Sequence, residues 1–181
     1  DRLNGANEEA VKLAETAGIP VYGHGSFEVN FPATHPLWQG NLSLRTQQAL
    51  VTIRSADLIV AVGCTVFEDF FYQPGSIIPE ETKLVHIDSD PGSIGKSEPA
   101  DIGVLAAPSM VVGQLADAVS EIFTGTKAEE CALRIREATA ASNARKESFA
   151  QSAAAQRNRS PMSPATLAST LASSLPSDAA V

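Results

Sequence analysis

The sequence predicts an α/β protein: a doubly wound, Rossmann-like parallel sheet with helices on both faces. Two nearly all-apolar runs point to it, residues 57–63 (DLIVAVG) and 83–88 (KLVHID), whose composition suits parallel strands buried on both sides. Stretches with apolar residues at helical spacing alternate with such runs, the order that winds helices over a parallel sheet. Length agrees, since 181 residues of which 44% are hydrophobic provide one sizeable core and an appendage.

Each element has its own signal. Asn7 caps a first helix, Glu8 and Glu9 suit its positive end, and Ala10, Val11, Ala14 and Ala17 face inward. Gly18 ends it, and residues 19–22 form a short strand. A loop over 23–44, rich in Gly, Pro, Asn and His, comes next; loops of that length are often functional. Helical spacing returns over 45–56 through Ala49, Leu50 and Ile53, and the 57–63 strand follows. An irregular stretch with Pro74, Gly75 and Pro79 leads to the 83–88 strand, and 102–107 is a third. Pro108 or Ser109 opens a helix with Val111, Leu115, Val119 and Ile122 on one stripe, closed by Gly125. A βαβ unit begins with a strand whereas this chain begins with a helix, so the first strand is expected upstream of Asp1.

Composition shifts after Gly125. Residues 127–159 are rich in Ala, Glu, Ser and Arg and read as an exposed helical connector with a thin inward stripe of Leu133, Ile135 and Phe149. Ser163 caps a last helix, Pro164 sits in its first turn, Leu167 and Leu171 repeat at four-residue spacing, and Pro176 closes it. The predicted division is therefore a central α/β domain over 1–125, a helical linker over 126–162, and the start of another domain over 163–181.

Charge and motifs narrow the function. Thirteen basic and 21 acidic residues leave a net charge of −8, against a phosphate-backbone partner, so no nucleic acid is expected. The longest apolar run, 58–67, falls short of the roughly 18 or more residues of a membrane span, and no membrane partner is expected. Cys64 and Cys131 lie far apart and read as reduced thiols of a cytoplasmic protein. The three histidines share no ligand spacing and no metal site is predicted. Gly23-His24-Gly25 holds only two glycines of a dinucleotide fingerprint and opens a loop, not a helix.

Two candidate sites remain. Open α/β sheets bind ligands beyond the carboxyl ends of their strands, which marks Gly63, Cys64, Asp88 and Asp90 as a cofactor-binding cleft. The plainer account is that Asp88 caps the turn through Pro91 to Gly95, that Cys64 packs, and that His86 is a core histidine inside its strand. His35 is the catalytic candidate. It lies in Phe31-Pro32-Ala33-Thr34-His35-Pro36-Leu37-Trp38-Gln39-Gly40, where two prolines stiffen the loop and aromatic neighbours can fix an imidazole for proton transfer near neutral pH.

The segments AVKLAETAGIPVY (10–22), FPATHPLWQG (31–40), ADLIVAVGCTVFEDFFYQPG (56–75) and KLVHIDSDPGSIGK (83–96) occur in the order seen in one protein family. In this the chain resembles the central domain of thiamine-diphosphate-dependent decarboxylases and synthases, over about residues 5–122. Val66, Phe67, Tyr72, Pro74 and Gly75, with FPATHP, look most like benzoylformate decarboxylases; the HIDSDPGSIGK piece is equally like acetolactate synthases. Residues 163–181 look like the beginning of the pyrophosphate-binding domain of such enzymes. The resemblance implies an excised middle domain, with thiamine diphosphate and magnesium held elsewhere in a homo-oligomeric parent, a dimer or tetramer, that decarboxylates a small 2-oxo acid. It also implies that the histidine of FPATHP, His35, is an active-site residue. Asn41-Leu42-Ser43-Leu44 departs from the continuation that acetolactate synthases show, which makes FAD unlikely. The alternatives are a carboligase of the acetolactate synthase type binding FAD or a nucleotide here, and a non-catalytic nucleotide-binding module. The excised chain is expected to bind no cofactor, to be inactive alone, and to leave His35 solvent-facing without a catalytic partner.

Overall fold

The computed structural model of the chain describes residues 4–24, 31–44, 46–67 and 74–176. Contacts divide the chain into two compact units, residues 1–138 and 139–181. The first holds every described strand.

Helix α1 spans Asn4–Ala17. It starts three residues before the predicted cap, so Asn7 lies inside it and Glu8 and Glu9 fall beyond its first turn. Two adjacent faces of α1 are buried. Leu13 and Ala17 pack with Val112 and Ala116, while Ala14 packs with Phe31, Leu37 and Ala138. Gly18 follows at φ +63°, where an L side chain is strained. A Cβ there would also stand 2.7 Å from the Cys131 carbonyl oxygen, so glycine meets a conformational and a steric demand at once.

Strand β1 (Val21–Gly23) pairs in parallel with β2 (Trp38–Asn41), Val21 opposite Trp38 and Gly23 opposite Asn41. The predicted 23–44 loop therefore contains a strand. Gln39, Gly40 and Asn41 carry no alternating apolar pattern, and what places them is pairing with β1 and the Trp38 ring stacked on Phe31 at 6.3 Å. Helix α2 (Gln47–Arg54) begins at Thr46, whose hydroxyl accepts from the Ala49 amide at 3.3 Å, and it buries Ala49 and Ile53.

The second sheet is parallel, in the order β3-β4-β5, with β3 at Leu58–Val62, β4 at Lys83–Asp88 and β5 at Ile102–Leu105. Here the expected place of the 57–63 run is corrected. Among the described residues the central strand is β4, and β3 is paired on one side only, with Leu58 50% and Val62 38% exposed. Its composition is that of a doubly covered strand, but only Ile59 and Ala61 meet the cluster built by Leu44, Ile53, Val66, Phe67 and Leu84. Pleating sends Leu84 and His86 to the same face of β4, and both are buried.

Helix α3 (Pro108–Ile122) packs inward along a face that keeps Leu115 and Val119 of the predicted stripe and adds Val112 and Ala116. Val112 and Ala116 are buried, Leu115 and Val119 half-buried, and Ile122 exposed. The fully buried Ala116 lies where α3 packs on α1, a contact that favours a small side chain over a long one. Helix α4 (Thr126–Ala155) buries Cys131 and Ala138; of the predicted stripe Ile135 packs against the core, while Leu133 and Phe149 are exposed. Its first turns belong to the first unit. Arg134 donates to the Ala17 carbonyl at 2.8 Å and the Gly18 carbonyl at 3.2 Å, closing the carboxyl end of α1 with a cation.

In the second unit α5 (Pro164–Ser174) is capped by Ser163, whose hydroxyl accepts from the Thr166 amide at 3.2 Å. Thr166 donates to the Ala153 carbonyl of α4 at 3.3 Å. Leu167 and Leu171 are exposed, and the buried residue of this helix is Thr166. Among the described residues no helix is long and apolar enough to cross a membrane.

Candidate functional site

The loop before β2 is built from turns that fix an imidazole. The His35 amide donates to the Pro32 carbonyl at 2.9 Å, and the Trp38 amide donates to the His35 carbonyl at 3.0 Å. The Leu37 amide donates to His35 Nδ1 at 3.2 Å, so the backbone of the loop holds its own side chain. Phe31 meets the ring edge-on at 5.1 Å between centroids. Nε2 lies 3.3 Å from Oε1 of Glu15, on α1. With Nδ1 accepting a main-chain hydrogen bond, the neutral ring carries its proton on Nε2 and donates it to that carboxylate. His35 was expected to face solvent; its side chain is only 16% exposed, and both nitrogens are engaged within the chain. Phe31 and α1 close over the loop, and no local reading of the prolines foretells that.

The strand-end candidates are drawn together by sheet register. The Gly63 amide donates to the Ile87 carbonyl at 2.8 Å, which sets Gly63 and Cys64 beside the end of β4. Burial pushes the Cys64 thiol above its ordinary value, and the Asp88 charge acts in the same direction, so it is a packed thiol and a poor nucleophile. Asp88 is buried and accepts from the Asp90 amide at 2.8 Å. Exposed Asp90 accepts in turn from the Gly92 amide at 2.9 Å. The two aspartates thus hold the turn after β4, as the plainer account has it. His86 is buried with Nδ1 accepting from the Gly95 amide at 3.4 Å, while its Nε2 stands 4.0 Å from Asp88 Oδ2. Near the same end, the His24 ring meets Phe67 edge-on at 5.4 Å.

His35 does not join this group. It stands at the start of β2, whereas Gly63, Cys64, Asp88 and Asp90 stand at the ends of β3 and β4. Two partners escape any sequence reading. Glu15 lies 20 residues from His35, and buried Glu98 accepts from the Ser76 hydroxyl and from the Ile77 amide at 3.0 Å, pinning a loop. Neither pair has a local signature. Among the described residues no three His, Cys, Asp or Glu side chains are grouped to hold a metal ion.

Residues 2–115 match the family model described as the thiamine pyrophosphate enzyme central domain. A probable acetolactate synthase large subunit of Methanocaldococcus jannaschii is 34% identical over 114 residues, 62% of this chain and 19% of that protein. A sulfoacetaldehyde acetyltransferase of Alcaligenes xylosoxydans xylosoxydans is 28% identical over 133 residues, 72% of this chain and 22% of that protein. Among solved structures, a thiamine diphosphate-dependent 4-hydroxybenzoylformate decarboxylase of Rhodococcus jostii RHA1 superposes with a TM-score of 0.56 at 31% identity, over 63% of this chain and 22% of the other. A benzoylformate decarboxylase from Polynucleobacter necessarius does so with a TM-score of 0.55 at 26% identity, over 62% and 21%. The chain spans about a fifth of the length of these relatives.

Proposed function

Because this chain belongs to the thiamine pyrophosphate enzyme central-domain family, we propose that it is the central domain of a 2-oxo-acid decarboxylase of the benzoylformate decarboxylase type. The observation that carries this reading is the anchored imidazole of His35, within a Phe-Pro-Ala-Thr-His-Pro loop of the kind such decarboxylases have. Likeness to two solved benzoylformate-type decarboxylases supports it. In the parent protein, thiamine diphosphate and magnesium sit on other domains, and the substrate is a small 2-oxo acid. This chain's contribution is a proton held at His35 Nε2, on a loop whose turns keep the ring from wandering. The strand-end aspartates shape their own turn and carry no step of the reaction.

A second reading, an acetolactate synthase-type carboligase, is favoured by the sequence relatives bearing that name. The parent enzyme separates the two. Given an aromatic 2-oxo acid, a decarboxylase releases carbon dioxide and the aldehyde; a carboligase given a short 2-oxo acid joins the product to a second molecule. In the decarboxylase, His35→Ala lowers turnover by about 10²–10⁴-fold, the range for a lost general acid–base, with folding intact. Full turnover and unchanged substrate affinity in that variant remove His35 from the mechanism.

A further inference from the structure

We infer that Glu15 is the residue that positions His35, a role that rests on the reading of His35 just given. Three observations converge on it. The Leu37 amide occupies Nδ1, so Nε2 is the one ring nitrogen left to face a reaction partner. Glu15 Oε1 stands 3.3 Å from that nitrogen. The carboxylate is 61% exposed and the imidazole only 16%, so Glu15 reaches the ring from the solvent side and can leave it without being stranded in an apolar interior. A depression of about 350 Å³ along α1, walled in part by Lys12, Glu15, Thr16 and Pro32, opens beside the pair.

One amide alone leaves a ring free to tilt about its contact. A second hydrogen bond at the opposite nitrogen sets the plane and reinforces the Nε2–H tautomer. Glu15 comes from a helix that is itself fixed, since α1 is packed against α3 through Leu13 and Ala17 and closed at its end by Arg134. The loop supplies the imidazole and the helix supplies its orientation. Glu15 neither gives nor takes the proton of the reaction: it holds Nε2–H until a reaction partner displaces it, and its part is positional.

The test compares Glu15→Ala with Glu15→Gln, since an amide oxygen still accepts from Nε2–H and alanine does not. Long-range proton–nitrogen NMR of the imidazoles in this chain, above pH 8 and with His35→Gln for assignment, reads the tautomer directly. His35 is expected in the Nε2–H form. Glu15→Ala shifts the ratio of tautomers about tenfold toward Nδ1–H, and Glu15→Gln restores most of it. In the parent enzyme, Glu15→Ala lowers kcat by about ten- to a hundredfold with KM held, again rescued by glutamine. A His35 spectrum unchanged by Glu15→Ala, or kcat unchanged in a parent where His35→Ala is severely impaired, overturns the assignment. If the spectra behave as expected and His35→Ala leaves turnover intact, the positioning stands and the catalytic reading of His35 falls.

Discussion

Gly18 is both left-handed and pressed against the Cys131 backbone. Gly18→Ala should cost at least about 1–2 kcal/mol from the backbone alone, read as a lower urea midpoint with unchanged slope. Asp101 governs an acid limb of a different kind. The Lys83 ammonium at 2.8 Å, then the Leu84 amide at 2.9 Å, hold its carboxyl below the usual range in the folded chain. A depressed folded value means the contribution is present above the unfolded carboxyl's titration and fades as pH falls through the folded one. Asp101→Asn should therefore flatten stability against pH below about pH 4, and should do so less in high salt because the pair is exposed. Equal acid sensitivity in the variant and the parent chain would show that other carboxylates set that limb.

At the scale of elements, the sheet ranks its strands by neighbours and not by hydrophobicity. Lys83–Asp88 is flanked on both sides and includes Leu84 and Ile87, each 1% exposed; Leu58–Val62 is apolar throughout but among the described residues is paired on one side only. Hydrogen exchange should find the β4 amides slowest, with β3 and β5 opening ahead of them; slower exchange in β3 would mean that a further strand covers its edge. Leu37, 1% exposed under α1, should lose about 2–5 kcal/mol on truncation to alanine. Leu167→Ala, on an exposed position of α5, should cost much less. The caps at Thr46 and Ser163 form as the side chains require, since a hydroxyl ahead of a helix answers an amide within reach. The inward stripes of α3 and α4 are another matter. Helical spacing names several candidate faces; the packed ones keep Leu115, Val119 and Ile135 but add Ala116 and Cys131 and leave Ile122 and Leu133 outside.

For the whole molecule, most of the predicted connector is one continuous helix, Thr126–Ala155. Limited proteolysis should therefore cut first over 156–162, where α4 gives way to α5, and not across 127–155; early cleavage near residue 140 would show that α4 is not continuous in solution. The α/β class, the cores of β3 and β4, three of the helix ends and the family likeness were all legible in the sequence, because each rests on contacts within about ten residues. Buried-strand composition, hydroxyl caps and glycine stops act locally and write themselves into local order. Tertiary structure alone decided that β2 is a strand, that β3 is paired on one side only among the described residues, and that His35 is turned toward Glu15. Each depends on groups brought from 15 or more residues away, and a side chain carries no mark of the distant partner that will meet it.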